Sequence, residues 1–148
     1  MAIPIRHKRG TSNPSASDFA STAELLVNTT DGGLFTKTDG GVVVEIAAAD
    51  IPQNSKTAAY TLVIGDSGKH VNITTGGVTV PSGVFSAGNV VSIYNDSSSD
   101  QTITQAASVT LRLAGAATTG NRTLAQYGLV TVLCVASNEF VISGAGLT

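Results

Sequence analysis

Charge is scarce in this sequence. Of its 148 residues, eight are Lys or Arg and ten are Asp or Glu, a charged fraction of 12%, about half the usual share for a soluble domain. Solubility must rest instead on side-chain amides and on 34 Ser and Thr residues. That balance, rich in Val, Thr, Ser, Gly and Ala, excludes the Glu-, Lys- and Leu-rich pattern of a helical cytosolic enzyme and points to a β-rich extracellular or virion protein. The net charge of −2 offers no global attraction for nucleic acid, so no nucleic-acid partner is expected.

Cysteine and histidine are nearly absent too. The single cysteine, Cys134, rules out an intrachain disulfide and suits assembly in a reducing compartment. It alternates with Val130 and Val132, which predicts a buried structural thiol. The two histidines, His7 and His70, have no Cys or carboxylate spaced with them as zinc ligands. Gly65-Asp66-Ser67-Gly68 matches the core of the serine-protease nucleophile signature. That chemistry needs a His base and an orienting Asp, and Lys69 stands where the signature has another Gly, so the segment reads as a hairpin turn. Asp96 and Asp100 flank three serines without the ligand spacing of a calcium loop and read as an exposed hairpin tip. No phosphate-binding loop is present. The expectation is a protein that is not an enzyme and takes no cofactor or metal.

Long apolar runs are missing as well. None approaches the ~18–20 residues that a membrane-crossing helix needs, and the start lacks the apolar core of a signal peptide. Membrane insertion is not expected. A β protein made in the host cytoplasm without a secretion signal fits a virion component released by lysis.

What is present is a dense series of strand and turn signals, and the expected fold class is all-β. Residues 1–23 read as an N-terminal arm: an apolar opening, a basic cluster and a Ser-rich stretch in which Ser17 or Asp18 could cap one helical turn. Residues 24–50 read as a β-meander, with short strands at 24–28, 34–37 and 42–46 separated by Asp31-Gly32-Gly33 and Asp39-Gly40-Gly41. Three such strands cannot bury a core of their own, yet they carry too much apolar surface to leave wet. Either the C-terminal part of the chain or other copies of it would have to cover that surface, and Leu25, Val27, Leu34, Phe35, Val42, Val44 and Ile46 are the candidate interface residues. Residues 51–57, with Pro52, read as a linker. Residues 58–148 read as a β-sandwich or barrel knob, with strands expected at 60–64, 69–75, 78–80, 89–95, 101–105, 108–113, 129–135 and 139–143. No internal repeat or heptad is visible.

The basic cluster is the remaining site-like feature. Arg6, His7, Lys8 and Arg9, with Ile3 and Ile5 beside them, could dock a flexible arm on a larger acidic surface by ordering on contact.

The N-terminal third resembles a motif at the start of the phage major tropism determinant and of many short tail and head fibres: a basic segment, a polar stretch, then Glu-Leu and two Asp-Gly turns. Here it stands as Lys8-Arg9-Gly10-Thr11, Glu24-Leu25-Leu26-Val27 with Asp31-Gly32-Gly33-Leu34-Phe35, and Asp39-Gly40-Gly41. Ala23 stands where the motif has Gly. The resemblance implies an intertwined, trimeric β-prism-like anchor. Residues 56–148 resemble a module of phage particle proteins through Val91-Ser92-Ile93-Tyr94-Asn95, Thr102-Ile103-Thr104-Gln105, Leu111-Arg112-Leu113-Ala114-Gly115 and Gly120-Asn121-Arg122-Thr123-Leu124. These resemblances imply a homotrimeric decoration protein, of the cement or head-fibre kind, bound to the phage major capsid protein. The alternative is a short tail fibre held by a tail or baseplate protein, with a tip for a host surface glycan. The absence of a coiled-coil, collagen-like or β-helical shaft favours decoration.

Overall fold

The computed structural model describes residues 8–30, 32–47 and 50–148. The chain divides into two compact units, Met1–Asp50 and Ile51–Thr148.

The first unit holds a four-stranded sheet in the order β1-β2-β3-β4. Its strands are β1 (Lys8–Gly10), β2 (Leu25–Asn28), β3 (Leu34–Lys37) and β4 (Val43–Ala47). β2, β3 and β4 form the antiparallel meander that the two turn signals predict; Asp31 lies outside the described residues. The segment read as an arm belongs in part to this unit. β1 pairs in parallel with β2, Lys8 opposite Leu26 and Gly10 opposite Asn28. A 3₁₀ turn follows at Ala16–Asp18. Its cap is Ser15, whose backbone N–H and hydroxyl both donate to Asp18 Oδ2, at 2.7 and 2.8 Å, satisfying one of the donors a helix start leaves free.

The second unit is all-β and its sheet is nearly a closed barrel, but its connections differ from a sandwich of hairpins. It contains β5 (Gln53–Lys56), β6 (Tyr60–Thr61), β7 (His70–Ile73), β8 (Val78–Val80), β9 (Val90–Asn95), β10 (Gln101–Gln105), β11 (Thr110–Leu113), β12 (Arg122–Ala136) and β13 (Glu139–Leu147). From β5 to β10, successive strands do not pair with each other. β5, β7 and β9 pair in parallel, and so do β6, β8 and β10. The chain therefore winds through three similar arcs, β5–β6, β7–β8 and β9–β10, each laid beside the last. This is a structural repeat that the sequence does not display, because only the inward positions of each arc need to be alike.

The corner within the β7–β8 arc is made by two glycines. At Gly76-Gly77 the arcs approach closely: a Cβ on Gly76 would lie 2.2 Å from Ala59 N, and one on Gly77 would lie 2.5 Å from Thr102 O. Both glycines have positive φ, 86° and 71°, a conformation that L side chains rarely adopt.

β12 closes the winding. Its first part pairs antiparallel with β10 and its later part with β9, so one long strand spans the end of the last arc. β13 returns along β12 and carries β11 in parallel on its far side. One core fills the interior, with Val71, Ile73, Val78, Val80, Ile93, Ile103, Leu111, Leu124, Val130 and Ile142 almost wholly buried. Cys134 lies in that core as the alternation predicts, and burial pushes its thiol pKa up.

Residues 51–57, read as a linker, contain β5, and the division between the units falls at Asp50 and Ile51. β5 escaped notice because it is polar. An edge strand pairs through its backbone and can spend its side chains on water and hydrogen bonds. Asn54 donates to the buried Asp66 at 2.6 Å, and Tyr60 Oη and Val63 N donate to the same carboxylate at 2.9 and 2.8 Å. Gly65-Asp66-Ser67-Gly68 is therefore no hairpin: Ile64–Asp66 is a 3₁₀ turn, and its Asp ties β5 to the residues around β6.

Candidate functional site

The two faces of the first sheet are unlike. Leu26 and Phe35 stand opposite each other in the β2–β3 register, and paired residues share a face. Phe19, from the segment following β1, packs on them, and these three form a small buried cluster with Val43 at its edge. Lys8 and Lys37 fasten that segment over the sheet. Lys8 Nζ donates to the Asp18 carbonyl at 3.1 Å and pairs with Glu24 at 3.2 Å. Lys37 Nζ donates to the Phe19 carbonyl at 3.2 Å and lies 5.9 Å from the centre of its ring. Glu24 also accepts the Ala20 N–H at 2.7 Å. That bond, with Lys8 beside it, holds the Glu24 carboxyl below its ordinary pKa. The Ser15 N–H and hydroxyl do the same for Asp18.

The other face follows from the period of two along each strand. The register aligns Leu25 with Thr36 and Thr36 with Val44, and Val27 with Leu34. Arg9 lies opposite Val27 at the β1 edge. Leu25, Val27 and Leu34 are half-buried, whereas Val42, Val44 and Ile46 are 61%, 39% and 52% exposed. Of the seven residues that the sequence offers as an interface, the structure brings Leu25, Val27, Leu34 and Val44 to this one face, and Val42 and Ile46 continue the alternation of Val44. Phe35 is the exception. It occupies the covered face, because Phe19 supplies from within the chain the contact that a second copy was expected to make. Phe19 stood in a stretch without periodicity and gave no signal.

Of the residues expected to bind the particle, Ile3, Ile5, Arg6 and His7 lie outside the described residues. Lys8 is engaged with Glu24 and the 3₁₀ turn. Arg9 is exposed and, with Lys8, Gly10, Ser12, Pro14, Asp18, Leu26 and Val27, lines a shallow hollow of about 300 Å³.

The Asp96–Asp100 segment is a corner rather than a hairpin tip, since β9 and β10 do not pair with each other. Ser97 is buried there and bonds to Asn95 Oδ1 at 2.7 Å. Among the described residues no group of three or more His, Cys, Asp or Glu could hold a metal ion, and no helix is long and apolar enough to cross a membrane. No known family model matches the chain, and no curated protein matches it.

Proposed function

We propose that this protein is a structural decoration protein of a tailed-phage capsid, of the cement or head-fibre kind, acting as a homotrimer rather than as an enzyme. One observation carries the reading. A sheet of four short strands has one face covered by its own chain and the other lined by the half-buried Leu25, Val27 and Leu34 and the exposed Val44. So small a unit gains most from burying such a face against copies of itself. The motif Lys8-Arg9-Gly10 with two Asp-Gly turns supports the phage setting by resemblance. The basic residues at and before β1 supply contacts to the major capsid protein. Each exposed ion pair contributes only ~0–1 kcal/mol, so three arms acting together are needed to give useful avidity.

The test is to add purified protein to undecorated particles and count the copies bound. Hundreds per particle are expected. Deleting residues 1–7, which leaves β1 in place, should lower occupancy and its sensitivity to salt without unfolding the chain. Full occupancy by the deleted form would move the attachment surface onto the folded units.

A short tail fibre with a glycan-binding tip is the second reading. The arcs of Ile51–Thr148 favour it, because parallel winding of this kind is how β-helical fibre shafts are built. A few to tens of copies per virion, found at the tail, would select it.

A further inference from the structure

Ile51 opens the second unit and is 67% exposed. It borders a shallow hollow of about 350 Å³ whose other walls are His70, Ser92, Tyr94 and Leu129. These residues share the outer face of β7, β9 and β12: His70 stands beside Ser92, Ser92 beside Thr131, and Tyr94 beside Leu129. The face continues along β12, where Leu129, Leu133 and Val135 are 51%, 39% and 44% exposed. The inward half of that alternation, Val130, Val132 and Cys134, is accounted for by the core. The outward half, Leu129, Thr131, Leu133 and Val135, is largely apolar and remains about half exposed.

The same face is empty of formal charge. β7, β9 and residues 129–136 of β12 contain no Asp, Glu, Lys or Arg. A charged partner would find no complement there. The fitting partner is itself uncharged, apolar and rich in hydroxyls, and the same face of another copy has that chemistry. Chain length brings such copies within reach. Only four residues separate Ile46, at the open edge of the first sheet, from Ile51. Five virtual bonds of 3.8 Å span at most ~19 Å. Copies joined through their first sheets thus hold their second units at the high effective concentration of a short tether, where a modest apolar contact suffices.

We propose that the outer face of β7, β9 and β12 is a second interface between copies of this chain, so that the trimer is closed at both units. The inference rests on the homotrimer reading above, and the experiment separates the two. In the full chain, Thr131→Cys places a thiol on the face, and Ser98→Cys places one on the exposed corner after β9. Each is labelled with a maleimide, with the unsubstituted chain as the background for the buried Cys134. Where light scattering gives a trimer, Thr131→Cys should label at least tenfold more slowly than Ser98→Cys, and the protection should vanish on dilution to monomer. Leu133→Glu should raise the concentration of half-dissociation at least tenfold. Equal labelling rates in a proven trimer overturn the second interface and leave the first standing. Protection that survives dissociation assigns the cover to the chain itself and overturns the proposal too. A chain that is monomeric at every concentration overturns both interfaces.

Discussion

Asn95 donates a hydrogen bond from Nδ2 to the backbone carbonyl of Leu124 at 3.0 Å, joining the end of β9 to the strand that closes the winding. The same amide reaches the Ala125 and Ser99 carbonyls at 3.0 and 2.9 Å, and its oxygen accepts from the Ser97 N–H and hydroxyl. Asn95 and Leu124 are both wholly buried, so the bond between them has no water to replace it. Asn95→Ala should cost at least the ~1–3 kcal/mol of one buried group left unsatisfied. Urea unfolding followed by circular dichroism measures it. A loss below about 0.5 kcal/mol would show that solvent reaches the corner.

The first unit should be sensitive to acid. Glu24 and Asp18 both have pKa values lowered in the folded state, Glu24 chiefly by the Ala20 N–H and Asp18 chiefly by the Ser15 N–H. A lowered carboxyl pKa contributes stability above the unfolded value, and that contribution is lost as pH falls through the folded value. Hydrogen-exchange protection of β1 and β2 should hold from neutral pH to about 5 and decline below about 4, the ordinary carboxylate range. Glu24→Gln should flatten part of that decline. An unchanged profile in the variant would place the acid response at other groups.

Tyr127 has a φ of 59° and is 62% exposed. It stands in the stretch where the pairing of β12 with β13 shifts register. Left-handed backbone costs a residue with a side chain roughly 1–2 kcal/mol, and the flexibility of glycine in the unfolded chain returns part of that. Tyr127→Gly should therefore raise the stability of the second unit by up to about 1 kcal/mol. A raised thermal midpoint is the expected result, and a lowered one would mean that the ring is held by contacts worth more than the strain.

Val44→Lys combined with Ile46→Lys places two charges on the open face of the first sheet without touching the Phe19, Leu26 and Phe35 cluster. For the homotrimer proposed above, light scattering should show dissociation to monomers, while far-ultraviolet circular dichroism stays unchanged. Retention of the trimer would remove that face from the assembly.

Local features of this fold were legible and long-range ones were not. β3, β8 and β10 follow from their sequences to the residue, because each is a short run bounded by turn formers. The first part of β12 was not read, since Ala125, Gln126 and Gly128 interrupt its alternation where the register shifts. The parallel pairing was invisible for a different reason. A corner such as Gly76-Gly77 carries the same residues as a hairpin turn, and nothing nearby states which distant strand will lie alongside. The open face of the first sheet could be assembled from alternation alone, but Phe35 could not be assigned to the other side until Phe19 was found covering it.

The closing role of β12 bears on how the protein is made. The arcs from β5 to β10 are synthesised first, yet the edges of β9 and β10 find their partner only in the strand beginning at Arg122. Until that strand leaves the ribosome, the growing chain presents two unpaired parallel edges and a core missing Leu124, Val130 and Val132. Distant pairings of this kind slow folding, and exposed edges invite the wrong neighbour. A stop codon within the stretch that encodes Arg122–Ala136 should therefore yield aggregates rather than a shortened folded chain.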